Sequence, residues 1–295
     1  MDARAGHHDV PDPWLPRSPD RLHLWLPLLR RLTELVPEWL VYKNAASSLY
    51  GTGDVDSLGS RPVWPAITAE FLVWAAKREL GPVVICNHIA PVLFLIAVPE
   101  DSETFLQMDV SDGRLWRGSR LFDVGDLQEL AEMDPLGFRR LRPGAEGLFK
   151  FVFNGIGWSG RPDWRTLHAK GTLDQLRRDP EGVRQAARIS GLAAWPALRS
   201  VRDALGESWN YPAVHALQAA SAFRSLRRPA ALARRLVQTC RIRRGAEICE
   251  VLTPMLRGGR RIPGDRAAWL EALARSHQVI AARPSFAATG FPKTG

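Results

Sequence analysis

Between Asp20 and Val36, apolar side chains at Leu22, Trp25, Leu26, Leu29, Leu32, Leu35 and Val36 recur every three or four positions. That spacing predicts a helix with Asp20 as its N-cap, kinked or shortened by Pro27 near its start. Trp39-Leu40-Val41-Tyr42 reads as a short strand, followed by a small-residue turn that leads into Gly51-Thr52-Gly53-Asp54-Val55-Asp56. Trp64 to Leu80 is helical again, with Trp64, Ile67, Phe71, Trp74 and Ala75 on one face. Four β-favouring runs come next: Val83 to Cys86, Val92 to Val98, Thr104 to Val110 and Arg114 to Phe122. They read as a meander or as hairpins, with Ser111-Asp112-Gly113 the clearest hairpin turn. After Asp126 the spacing turns helical, over Leu127 to Met133, Ala145 to Asn154, Trp164 to Leu176, Glu181 to Ile189, Tyr211 to Leu226, Ala230 to Arg243 and Arg266 to Ala274. Residues 1–19, rich in Pro and Asp and without periodicity, are expected to form a loose arm. The organisation expected is therefore arm 1–19, a mixed α/β unit over 20–125 and a helical unit over 126–295.

Composition adds two constraints. With 295 residues, 45% of them hydrophobic, the chain can bury a full core without disulfides. Cys86, Cys240 and Cys249 form no C-x-x-C pair, which sets aside zinc-ribbon and thioredoxin readings and points to a reducing cytoplasm. The first twenty residues hold His7, His8, Asp9 and Asp12 where a secretory signal would be basic and then apolar. No apolar run approaches the length of a membrane span, so no membrane partner is expected. The overall charge of +9 is unevenly placed: residues 1–125 carry a net −4 and residues 126–295 a net +13. The division in charge thus coincides with the division in pattern.

The chemistry is concentrated in acidic residues. Asp54 and Asp56 lie at i and i+2 of an extended segment, so their carboxylates point to one side while Val55 faces the core. In Phe105-Leu106-Gln107-Met108-Asp109-Val110, Gln107 and Asp109 share one face and Leu106, Met108 and Val110 the other. Three carboxylates on neighbouring strands would make a site for Mg²⁺, which favours a few carboxylates and leaves positions for phosphates and water. Two such ions would activate an attacking oxygen and stabilise a departing pyrophosphate, with Asp109 as a third ligand and candidate base. The glycines of Gly51-Thr52-Gly53 allow close passage of backbone or phosphate.

In these residues the chain resembles the DNA polymerase beta-like nucleotidyltransferase superfamily, and in element order its small bacterial members that modify antibiotics or other small molecules. The matching stretch is Asn44-Ala45-Ala46-Ser47-Ser48-Leu49-Tyr50-Gly51-Thr52-Gly53-Asp54-Val55-Asp56, with Asp109 as third acid. Ala46-Ser47 stands where the family carries a Gly-Ser pair. The resemblance implies an α+β fold: an N-terminal nucleotidyltransferase-like mixed sheet with flanking helices, then an α-helical C-terminal domain. It implies two Mg²⁺ ions on Asp54, Asp56 and Asp109, an NTP and an unidentified acceptor as partners, and transfer of a nucleoside monophosphate with release of pyrophosphate. Ser47, Ser48, Gly51, Thr52 and Gly53 would cradle the triphosphate, with Lys43, Arg117 and Lys150 offsetting its charge.

Plainer readings stand beside these. Asp54 and Asp56 fit a solvated turn in which one caps the helix near Trp64, and Asp109 fits a polar strand end entering a hairpin. Lys43 fits an exposed lysine after an apolar strand. Arg114, Arg117 and Arg120 fit edge-strand charges, and Glu146 with Lys150 an i,i+4 helix pair. His88 has no second ligand at metal spacing, Ser47 and Ser48 lack a nucleophile elbow, and there is neither a G-x-x-x-x-G-K-[ST] loop nor a third glycine after Gly155-Ile156-Gly157. The arginines at 224–228, 234–235, 241–244 and 257–261 suit solvated helix faces or nucleic-acid contact. Two other functions therefore remain open: an Asp-x-Asp glycosyltransferase, and a non-catalytic nucleic-acid or partner-binding protein using the basic half.

Overall fold

The computed structural model describes residues 19–51, 53–89, 91–100, 102, 104–116, 119–169, 171–190, 194–226, 262, 264–275 and 278–280. The first half runs α1 (Pro19–Leu35), β1 (Leu40–Lys43), α2 (Ala45–Tyr50), β2 (Val55–Leu58), α3 (Trp64–Lys77), β3 (Val83–Ile89), β4 (Val92–Ala97) and β5 (Leu106–Ser111). Short strands β6 (Arg114–Trp116) and β7 (Ser119–Phe122) follow, then β8 (Ala131–Met133) and β9 (Arg139–Leu141). Helices α4 (Pro143–Lys150), α5 (Trp164–Ala169), α6 (Thr172–Arg178), α7 (Pro180–Ile189), α8 (Ala194–Leu205) and α9 (Tyr211–Leu226) come next, with α10 (Arg266–Ala274) and β10 (Gln278–Ile280) last. The protein is an α+β fold built on an eight-stranded mixed sheet in the order β10-β3-β4-β5-β2-β1-β9-β8, flanked by helices. β2 pairs parallel to β5 and β1 parallel to β9; the other neighbours are antiparallel.

Period-two alternation sorts the side chains of this sheet. Val41, Val55, Leu93, Leu95, Leu106, Met108 and Val110 join Trp25, Leu28, Leu29 and Leu32 of α1 and Ile67, Phe71 and Trp74 of α3 in one core. Trp25 lies over Trp74 with ring centroids 4.9 Å apart and planes 13° from parallel. The other face of β4, Val92, Phe94 and Ile96, belongs to a smaller core with Trp269 and Leu273 of α10. Leu40, Tyr42 and Leu58 belong to a third core with Leu148, Phe149 and Phe151 and the helices beyond. β1 and β2 are therefore sandwiched between the α1/α3 layer and the helical layer.

The strands and helices expected from Asp20 to Val110 are present, but several neighbours differ. The small-residue segment after Lys43 forms α2 instead of a turn. α1 continues through Pro27. Ser111-Asp112-Gly113 does not turn a hairpin: β5 is already paired on both sides, by β4 and β2, so β6 pairs with β7 in a separate two-stranded sheet. Residues 127–133 are not one helix but a 3-10 turn, Gly125–Leu130, followed by β8, whose pairing with β9 draws it into the sheet. The sheet consequently continues past residue 125, through β8, β9 and β10. The helix expected over 164–176 divides at Gly171, which has φ +61°, and that over 145–154 ends as α4 and a π-helical turn, Phe151–Gly155. The helix α8 was not signalled by the pattern. The arm up to residue 18 and the segment Ala230 to Arg243 lie outside the described residues. Among the described residues no helix is long and apolar enough to cross a membrane.

Candidate metal centre

The parallel pairing of β2 with β5 sets Asp56 directly beside Asp109, since their Cα positions are register partners. Asp54 precedes β2 by one residue and returns to the same side two positions earlier. One carboxylate oxygen from each of Asp54, Asp56 and Asp109 lies within 4.8 Å of the other two. Asp56 and Asp109 are buried, at 3% and 9% exposure, and Asp54 is half-buried. Burial argues against a solvated turn for Asp56, and the helix near Trp64 takes its start from a 3-10 turn after Ser60 without a side-chain cap. The capping reading of Asp54 and Asp56 therefore does not hold. Three oxygens from hard anionic ligands at this separation suit a divalent cation such as Mg²⁺, which accepts carboxylates and fills its remaining positions with water or phosphate.

Positive groups from neighbouring strands meet the triad. Lys43 places its Nζ 3.2 Å from Asp56 Oδ1, and Arg114 places an NH2 nitrogen 3.8 Å from the same oxygen. Arg114 also donates to the Tyr42 hydroxyl. Both cations lie over the Tyr42 ring, Lys43 at 5.3 Å and Arg114 at 5.2 Å from its centre. Asn44 donates its side-chain amide to Asp56 Oδ2 at 3.4 Å, and Gln107 donates Nε2 to Asp109 Oδ1 at 2.6 Å. Burial pushes the Asp56 carboxyl above the ordinary carboxylate range, with Lys43 and Arg114 acting against it. Burial lowers the Lys43 pKa, but Tyr42 and Asp56 outweigh it and hold the amine protonated.

The segment before the acids is held from two sides. Arg21 of α1 donates Nε to Ser48 O at 3.2 Å and NH2 to Gly53 O at 2.6 Å, tying α2 and the start of β2 to one guanidinium. Asn44, in the left-handed region at φ +57°, donates its backbone N–H to Glu146 Oε1 of α4 at 2.8 Å. Glu146 also pairs with Lys150 at 3.5 Å, both buried.

Placement revises several expected roles. The backbone N–H groups of Gly51 and Gly53 both donate to Ser47 O, at 3.1 and 3.2 Å, and the Ser48 hydroxyl donates to Asn44 O and Asp54 O. These donors hold the loop's own shape, so they are not turned out as a triphosphate cradle. A Cβ at Gly53 would stand 2.6 Å from Ser47 Oγ, which explains the glycine there as a close approach within the loop. Lys43 meets Asp56, and Lys150 sits at 3% exposure beside Glu146. Thr52 and Arg117 lie outside the described residues. Arg114, read from the sequence as an edge charge, reaches the acids. Asn44, Arg21 and Glu146 carried no site signal of their own; the i,i+4 spacing of Glu146 and Lys150 was the one trace of the α4 contact. No protein-family model, curated protein or solved structure matches the chain.

Proposed function

We propose that the protein is a metal-dependent nucleotidyltransferase-like enzyme, which moves a nucleoside monophosphate from an NTP to an acceptor and releases pyrophosphate. The observation that carries this reading is the convergence of Asp54, Asp56 and Asp109 within 4.8 Å across a parallel strand pair. The order α1, β1, α2, the Asp-x-Asp strand β2, α3, and later the strand of the third acid agrees with the resemblance drawn from the sequence. Mg²⁺ held by the three carboxylates would polarise the phosphate under attack and offset charge on the leaving pyrophosphate. The chain's own residues supply the frame: the β2/β5 register fixes Asp56 against Asp109, Arg21 fixes the approach to Asp54, and Gln107 orients Asp109 through its amide. Lys43 and Arg114 place positive charge beside the acids, where a polyanionic substrate would need it.

Thermal shift with and without Mg²⁺ across the four NTPs tests the proposal, because a ligand that binds only the native state raises the melting temperature. An NTP shift that needs Mg²⁺ is expected in the wild type, and its loss in the Asp54→Asn/Asp109→Asn variant, whose circular dichroism stays native. An Mg²⁺-dependent NTP shift of unchanged size in that variant would end the proposal.

A further inference from the structure

β1 carries an irregularity where it faces the acids. Val41 is the register partner of Ser57, but Lys43, two residues on, is the partner of Asp56, one residue back. Regular antiparallel pairing would set Tyr42 against Asp56 and Lys43 against Val55. The extra residue is a β-bulge, a device that re-aims a side chain at the cost of one ladder position. Its effect can be read from the cores: Leu40 and Tyr42 belong to the core on the helical side and Val41 to the core on the α1/α3 side. Simple alternation would send Lys43 after Val41 into apolar packing, where an ammonium is costly to bury. The bulge brings it to the acidic face instead, with Nζ 3.2 Å from Asp56 Oδ1.

Two ions that share a carboxylate commonly take one of its oxygens each. At Asp56, Oδ1 is committed to Lys43 at 3.2 Å and faces Arg114 at 3.8 Å, while Oδ2 has only the long contact of Asn44 Nδ2 at 3.4 Å. Asp56 therefore has one oxygen to give to a metal. A second hint of a cation comes from Gln107, 1% exposed, whose Nε2 is spent on Asp109 but whose Oε1, an acceptor only, is buried with no hydrogen-bond partner. A neutral carboxamide oxygen is a ligand that hard divalent ions, or the waters they carry, accept.

We infer that Lys43 stands in for one of the two ions expected at such a centre, so that the site takes a single divalent cation with the ammonium as its fixed second positive charge. This rests on the reading of Asp54, Asp56 and Asp109 as a metal centre. The probe is Mn²⁺ alone, titrated into the full chain and followed by electron paramagnetic resonance, which counts bound ions and distinguishes an isolated ion from a spin-coupled pair. The wild type is expected to bind one uncoupled Mn²⁺. Lys43→Met should bind the first ion about tenfold more tightly, since a like charge beside it is gone, and should show a coupled pair at saturation. Lys43→Arg, which keeps the charge, should stay with one. A coupled pair in the wild type overturns the inference while leaving the metal centre standing, and so does a folded Lys43→Met with one ion at unchanged affinity. No Mn²⁺ bound by the wild type would remove the metal centre itself.

Discussion

Asp179 is the residue on which the start of the helical layer turns, and its removal has a size that the structure allows to be worked out. Its carboxylate accepts from Gly182 N at 2.9 Å, capping α7, and from Gly144 N at 2.9 Å, the first turn of α4. It also accepts two bonds from Arg142, at 2.8 and 2.5 Å. Losing an N-cap costs about 1 kcal/mol, and losing bonds to a charged group about 1.5–3 kcal/mol where the donor cannot find water. Arg142 is 28% exposed and keeps a bond to Gln185 at 3.0 Å, so much of its share is recovered from solvent. Asp179→Ala should therefore destabilise the protein by about 3 kcal/mol at pH 7. Burial works to raise the Asp179 pKa, but Arg142 and the N–H groups of Gly182 and Gly144 outweigh it and hold the carboxyl below the ordinary range. A carboxyl with its pKa depressed on folding contributes fully above its unfolded value, about 4, and the contribution is lost as pH falls through the folded value. Urea unfolding of wild type and variant from pH 7 down to pH 3, followed by tryptophan fluorescence, should show a gap that narrows only below about pH 4. Asp174→Ala, which removes an exposed pair with Arg177, serves as control and should stay within about 0.5 kcal/mol. A gap for Asp179→Ala no larger than the control's, or one that widens on acidification, would refute the reasoning.

Three further outcomes follow from the same contacts. Arg21→Met removes both ties on the loop before Asp54 and should weaken Mn²⁺ binding, read by calorimetry, several-fold more than it lowers the melting temperature would suggest; unchanged affinity would count against a role for that clamp. Glu146→Gln removes the carboxylate charge from the buried pair with Lys150 and should cost about 3 kcal/mol. Adding Lys150→Met should then restore part of that loss in a double-mutant cycle, whereas strict additivity would show the pair to be uncoupled. Trp25→Ala empties the stack on Trp74 and should lower stability by about 3–5 kcal/mol in the same urea assay, with a cost below about 1 kcal/mol excluding it from the core.

Alternation and helical spacing made much of the first half legible. Gln107 and Asp109 opposite Leu106, Met108 and Val110 is a pattern that one strand carries by itself, and the structure places those residues accordingly. The convergence of Asp54, Asp56 and Asp109 also followed from spacing, once two strands were assumed to be neighbours. What spacing could not carry was register and partner choice. The bulge at Lys43 depends on how β1 meets β2, so the apolar run Trp39 to Tyr42 gave no hint that the next residue would turn to the acids. Gly113, at φ +83°, satisfied the local chemistry of a hairpin turn, but β5 had no free edge to receive β6. Arg114 and Glu146 looked like ordinary surface charges because what they touch, Tyr42 and Asn44, lies 72 and 102 residues away in the chain and on other elements.

The parallel β1/β9 pair also bears on how this protein can be taken apart. β1 lines up against a strand made of residues 139–141, and the amide of Asn44 ends on a helix made of residues 143–150. A fragment ending at residue 125 would keep every candidate metal ligand yet strip Leu40, Tyr42 and Leu58 of the helical part of their core and leave one side of β1 open. Such a piece would be prone to self-association, and its inactivity would say nothing about the acids it contains. Any shortened chain meant for binding studies has to keep β9 and α4, so that β1 retains its neighbour.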